Sequence, residues 1–185
     1  MKKKILFIFV FSIFFYYGYS QNTLKSINIG ISKSTGAENR YWNLGPSIGA
    51  HIFFTESNNI MFGARIAVNR WLSDENELFE KYNRDTQGLN IDSYGLIFEF
   101  TPGIRYHIKQ ITDNINSFTQ AGFGLYTIDF RTSKIFENNL GMNLGLMFIT
   151  LLPLKIQTEF SILYHIVFRD KEPFSYLSLN AGIIF

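Results

Sequence analysis

The chain has 185 residues, a length suited to one domain, and it contains no cysteine. Disulfides, zinc–thiolate sites, cysteine nucleophiles and a lipidated N-terminal cysteine are therefore excluded. The formal charge of +2 is misleading, because residues 1–20 hold three Lys and no acid; removing those three from 17 basic residues leaves 14 against 15 acidic ones, a net of −1 that gives no support to nucleic-acid binding.

The N-terminus opens Met1, Lys2, Lys3, Lys4 and then runs apolar from Ile5 to Tyr17, interrupted only by Ser12. That core is short of the ~20 residues a spanning helix needs and within the range of an export signal. Gly18 and Ser20 stand three and one residues before Gln21, the small-residue spacing a signal peptidase reads. The pattern predicts a cleavable signal peptide over 1–20 and a domain over 21–185.

Beyond residue 20 the dominant signal is period-two alternation, which places successive side chains on opposite faces of a strand. Eight segments are predicted. The first, 25–34, sets Asn28, Gly30 and Ser32 on one face. The second, 43–54, carries Leu44, Pro46, Ile48, Ala50, Ile52 and Phe54 on its apolar face, with Ser47 and His51 opposite. The third, 60–71, carries Arg65 and Asn69. In the fourth, 91–108, Tyr94, Leu96, Phe98, Phe100, Pro102, Ile104, Tyr106 and Ile108 alternate with a face that includes Glu99, Arg105 and His107. The fifth, 118–130, holds Gln120, Gly122 and Gly124 on the polar side. The sixth, 139–150, alternates Leu140, Met142, Leu144, Leu146 and Phe148 with Gly141, Asn143 and Gly145. The seventh, 155–168, sets Gln157, Glu159 and His165 on one face, and the eighth, 176–185, sets Ser178, Asn180 and Gly182 there.

Each segment reaches the ~9 to 11 residues that a tilted strand needs to cross a bilayer. Together they take more than half of the chain beyond residue 20, which is normal for a membrane barrel and suspect for an ordinary globular domain. The expected fold class is all-β, an eight-stranded antiparallel up-and-down transmembrane β-barrel. A soluble eight-stranded barrel would turn the apolar face inward. Its water-facing surface would then carry only Arg65, Glu99, Arg105 and Glu159 as mid-strand charges, too few for solubility.

With a periplasmic N-terminus the short turns are 55–59, 109–117 and 151–154, and the outer loops are 35–42, 72–90, 131–138 and 169–175. The longest link is then external. Aromatic residues near strand ends are expected to form two interfacial girdles: Tyr41, Trp42, Trp71, Phe130, Phe168 and Tyr176 at the outer rim, and Phe54, Tyr106, Phe118 and Phe148 at the inner one.

The last segment, Tyr176-Leu-Ser-Leu-Asn-Ala-Gly-Ile-Ile-Phe185, alternates apolar residues and ends on Phe. It resembles the C-terminal signature of Gram-negative outer-membrane proteins. With the signal peptide and the strand number, the chain from residue 21 onward resembles the OmpA-transmembrane and OmpX-like barrels of the outer membrane protein β-barrel domain type. No periplasmic peptidoglycan-binding domain is expected after it. The resemblance implies a location in the cell outer membrane, Tyr176 and Phe185 as an assembly signal for the barrel-assembly machinery, and contact with outer-membrane lipids and lipopolysaccharide.

Motifs with chemical content give little. Gly141-Met-Asn-Leu-Gly145 has small-x-x-x-small spacing, but the apolar run beside it contains Pro153 and is too short for a spanning helix. Gly122-Phe-Gly124 lacks the third glycine of a dinucleotide fingerprint. Glu159, Ser161 and His165 share a face, yet positions four apart in a strand lie roughly 13 Å from each other, beyond hydrogen-bond reach. Lipid-A deacylase barrels carry a His-x-Ser pair, whereas His165 is followed by Ile166 and Val167. No two of His51, His107 and His165 have metal-ligand spacing, and the acid-rich loop from Leu72 to Asn90 lacks a calcium-loop pattern. No cofactor, metal site or catalytic residue is expected.

The expected lumen network consists of Arg65, Glu99, Arg105, Glu159, His51, His107 and His165. Arg65 should pair with Glu99 on the adjacent strand, and Arg105 with Glu159 across the barrel. The leading functional expectation is a non-enzymatic, monomeric barrel that stabilises the outer membrane or meets an unknown surface ligand through its loops. A narrow channel is the alternative, and a lipid-modifying enzyme ranks below both.

Overall fold

The computed structural model describes residues 23–36, 42–55, 59–72, 94–130, 135–152, 156–170 and 172–185. The signal segment 1–20, Tyr41 and the acidic stretch 73–90 lie outside the described residues. Eight strands follow in chain order: β1 (Thr23–Thr35), β2 (Gly45–Thr55), β3 (Ile60–Leu72), β4 (Tyr94–Thr112), β5 (Ile115–Phe130), β6 (Ile135–Leu151), β7 (Gln157–Phe168) and β8 (Phe174–Ile184). Each pairs antiparallel with its sequence neighbours, and β8 returns to β1 over Ser26–Thr35 against Ile184–Ser175, so the sheet closes. Closure leaves no strand edge unpaired, the condition for a sheet in lipid.

The alternation reads directly as inside and outside. Ile27, Ile29, Ile48, Ile66, Phe98, Phe123, Leu125, Leu144, Phe160, Leu179 and Ile183 stand outward and exposed, while Asn28, Ser47, Arg65, Asn69, Glu99, Gln120, Asn143, Glu159, Ser178 and Asn180 are buried. An apolar exterior around a polar interior inverts the soluble pattern and suits a bilayer as solvent.

Several boundaries differ from the sequence reading. The expected 109–117 turn is almost entirely strand, because β4 runs on to Thr112 and β5 begins at Ile115, leaving a two-residue turn at Asp113–Asn114. Lys109, Gln110 and Asn116 are carried by a hairpin that runs past the end of β3, whose register stops at Ile60 opposite Tyr106. The register also shifts between His107 and Lys109 and between Gln110 and Thr112, so strict alternation fails there. The sixth strand begins at Ile135, which shortens the expected 131–138 loop; β8 begins at Phe174, two residues earlier than expected.

The links between β2 and β3, β4 and β5, and β6 and β7 gather at one end of the barrel, here the turn end. The others, including the long link after Leu72, gather at the loop end.

The outer aromatic girdle needs correction. Trp42, Trp71 and Tyr176 are buried rather than presented to an interface, and with Ile97, Tyr126, Ile128, Val167 and Phe174 they form one hydrophobic cluster inside the loop end. Strand parity explains this: Trp71 shares its face with Arg65 and Asn69, and Tyr176 with Ser178 and Asn180. At the turn end Phe118 also joins the inner row, its ring 5.1 Å from that of His107. Phe168 and Tyr106 are outward and exposed, as a girdle requires.

Candidate functional site

The candidate site is the lumen, which draws polar side chains from every strand. Its centre toward the loop end is Glu99 on β4. Arg65 Nη1 on the adjacent β3 donates to Glu99 Oε2. Thr101 Oγ1 donates to Oε1 at 2.8 Å and Asn143 Nδ2 on β6 at 3.1 Å. The hydroxyl of Tyr176 on β8 donates to Oε2 at 3.4 Å, and His165 Nδ1 on β7 lies 3.7 Å from the same oxygen. One carboxylate thus gathers groups from five strands. A buried charge is tolerated when it is paired and its remaining lone pairs are occupied, and Glu99 meets both conditions.

His165 is itself held on several sides. Its ring stacks on Tyr176 with centroids 4.1 Å apart and planes within 2°, its Nε2 lies 3.0 Å from Ser178 Oγ, and its Nδ1 lies 3.3 Å from the Tyr126 hydroxyl. Tyr126 reaches this position because Gly141 beside it has no side chain; a Cβ there would stand 2.6 Å from the tyrosine ring. Ser178, His165 and Glu99 have the residue types of a hydrolytic triad. All three are sealed from the exterior, so the arrangement fills space and presents no nucleophile to solvent or lipid. Ser161, which shares a face with His165 in sequence, is instead met by Asn180 Nδ2 at 3.4 Å.

A second carboxylate, Glu159 on β7, lies toward the turn end. Ser26 Oγ donates to its Oε1 at 2.8 Å, Asn28 Nδ2 approaches at 3.3 Å, and His51 Nε2 lies 2.7 Å from Oε2. The Arg105 partnership expected across the barrel is the longest of these contacts, with Nη1 at 4.0 Å. Arg105 is fixed mainly by other groups. Its Nε donates to Gln120 Oε1 at 2.9 Å, and its guanidinium lies over the Phe53 ring at 3.8 Å from the centroid. A cation over a ring face recovers part of the electrostatic stabilisation lost on leaving water. Phe53 was not read as an inner residue from the sequence, although its parity with His51 placed it there.

His107 stands apart from both groups, half-buried against Phe118 at the turn end and with no partner at Nε2. Gln157 is exposed at that mouth. The expected network is therefore two carboxylate-centred groups, one around Glu99 and one around Glu159, with His107 outside them. Among the described residues no group of three His, Cys, Asp or Glu side chains is placed to hold a metal ion.

Above Glu99 the loop-end cluster closes the bore. Trp71 packs its ring 5.3 Å from Phe174 and 5.1 Å from Tyr176, and Tyr176 carries the hydroxyl that reaches Glu99. The hydrophobic cap and the polar centre are thus joined through the hydroxyls of Tyr176 and Tyr126, the second by way of His165 and Asn143.

No family model and no curated protein matches the sequence. Solved structures do match. Neisserial surface protein A aligns over 89% of this chain and 96% of its own, with a TM-score of 0.61 at 11% identity. The fold is that of the small outer-membrane β-barrels. The N-terminal barrel domain of Pseudomonas aeruginosa OprF covers 89% of this chain and 98% of its own at 11% identity and a TM-score of 0.51. Ail, the attachment invasion locus protein of Yersinia pestis, solved with the heparin analogue sucrose octasulfate, covers 89% and 100% at 15% identity and a TM-score of 0.50. At these identities the likeness is one of fold alone.

Proposed function

We propose that this protein is exported with loss of residues 1–20 and resides in the outer membrane as a non-enzymatic barrel that presents its loop end to a partner at the cell surface. The observation that carries this reading is the closed bore. With Trp71, Tyr126, Phe174 and Tyr176 packed over the Glu99 group, the surfaces left for interaction are the loops and the lipid-facing wall. The turn end, with its short links, faces the periplasm, as in barrels of this type. Two of the similar structures belong to proteins named for the cell surface or for attachment, which agrees with the same reading.

The longest loop also restricts the partner. Between Leu72 and Asn90 it carries Asp74, Glu75, Glu77, Glu80 and Asp85 against Lys81 and Arg84, with Leu78, Phe79 and Tyr82 among them. An acidic, aromatic-bearing loop suits a basic or apolar surface and repels a polyanion such as the sulfated sugar bound by Ail. Replacing 73–89 with a short turn tests the assignment. Loss of surface binding with intact folding supports recognition, whereas unchanged binding with a weakened envelope assigns the barrel a structural role.

A further inference from the structure

The lipid-facing wall is not evenly convex. Around the closing seam one outward row runs Phe148 on β6, Phe160 on β7, Ala181 on β8 and Ile29 on β1, each the register partner of the next. Ala181 is the one small side chain in that row, flanked by Phe160 and Ile29, both at least half exposed. The missing bulk leaves a groove of about 360 Å³ whose floor includes the backbone of Gly30 and whose loop-ward side is formed by Ile162 and Leu179.

The groove has a position in the bilayer as well as a shape. Phe148, Phe160 and Ala181 each lie three residues from the turn end of their strand. On β1 the outward row reads Lys25, Ile27, Ile29, Ile31, so an ammonium group stands four residues turn-ward of Ile29, roughly 13 Å along the strand. A hydrocarbon slot with a cation roughly 13 Å turn-ward of it matches a lipid whose headgroup phosphate lies at that cation and whose acyl chain runs along the wall into the slot toward the bilayer centre.

We propose that this groove holds one acyl chain of a glycerophospholipid from the periplasmic leaflet, with the lipid phosphate at the Lys25 ammonium. Bulk lipid is as apolar as the groove, so what retains this molecule is close contact with the notch at Ala181 together with the headgroup charge pair. The assignment rests on the turn end being periplasmic. With the opposite orientation the same groove would meet the leaflet of lipopolysaccharide.

Native mass spectrometry of the chain from residue 21, refolded in detergent with phosphatidylethanolamine and lipopolysaccharide both present, tests it. One retained phosphatidylethanolamine per barrel is expected. Ala181→Phe, which fills the notch, should lower retention about tenfold, and Lys25→Gln should lower it severalfold. Ala121→Phe, on the outward face of β5 and away from the seam, should leave it unchanged. Heat-modifiable gel migration establishes that each variant is folded; should Ala181→Phe fail to fold, Phe160→Ala, which removes a wall of the groove, takes its place with the same expected loss. Equal retention by the wild type and the folded groove variant overturns the site. Retention of lipopolysaccharide instead, lost in the same variant, overturns the leaflet and the orientation while leaving the groove.

Discussion

The two buried carboxylates solve the same problem in different ways. Glu99 is surrounded by donors from four strands and capped by packed aromatic rings, whereas Glu159 relies on His51, Ser26 and Asn28, with Arg105 at 4.0 Å. Arg65 has Glu99 as its anionic partner, while Arg105 is held by a neutral amide and a ring. Both groups tie strands across the bore, Glu99 to β3, β6 and β8 and Glu159 to β1 and β2; the difference is that Glu99 holds its arginine directly and Glu159 does not.

The severest test removes the closing strand. Deleting Phe174–Phe185 takes Tyr176 from the Glu99 group and Ser178 from His165, and it exposes the facing edges of β1 and β7. Unpaired backbone groups in lipid cost several kcal/mol each by order of magnitude, so no membrane insertion and no heat-modifiable band are expected. Normal insertion of the truncated chain would remove closure as the basis of assembly.

Next in size is Glu99→Ala. It strands the Arg65 guanidinium in the bore, which typically costs about 3–5 kcal/mol and should appear as a lowered urea midpoint for the refolded protein. Glu159→Ala should cost less, about 1–3 kcal/mol, because it leaves hydrogen-bond donors unsatisfied while Arg105 keeps Gln120 and Phe53. Equal losses for the two variants would show the lumen to be one network.

Trp71→Ala separates packing from charge. It opens the cap above an intact Arg65–Glu99 pair, so its signature is electrical. The wild type should show little or no steady conductance in a planar bilayer, and the variant should show discrete openings. A large wild-type conductance would instead promote the channel reading. The smallest effect is expected at the rim, where Arg169 Nε donates to Glu137 Oε2 at 2.9 Å with both side chains partly exposed. Arg169→Ala should cost about 0.2–1 kcal/mol, and less as salt is raised.

How far the lumen was legible depended on whether parity or residue type guided the reading. Arg65 and Glu99 sit on one face of adjacent strands, where register leaves few choices, and the structure brings them into contact. Trp71 and Tyr176 were assigned to an interfacial girdle because aromatic residues near strand ends often lie there. Their parity with Asn69 and Ser178 pointed inward, and parity prevailed because a strand cannot turn one side chain outward without a bulge.

By itself, then, the sequence determined the number of strands, the apolar exterior, the polar interior and the membrane class of the fold, since these depend on period-two alternation and segment length alone. Tertiary structure decided which polar groups meet across the bore. His165 meets Ser178 and Tyr126 rather than Ser161, and Glu159 lies closer to His51 and Ser26 than to Arg105. The tilt and stagger of a closed eight-stranded sheet set which residues share a height in the lumen, and those quantities belong to the whole barrel and to none of its strands.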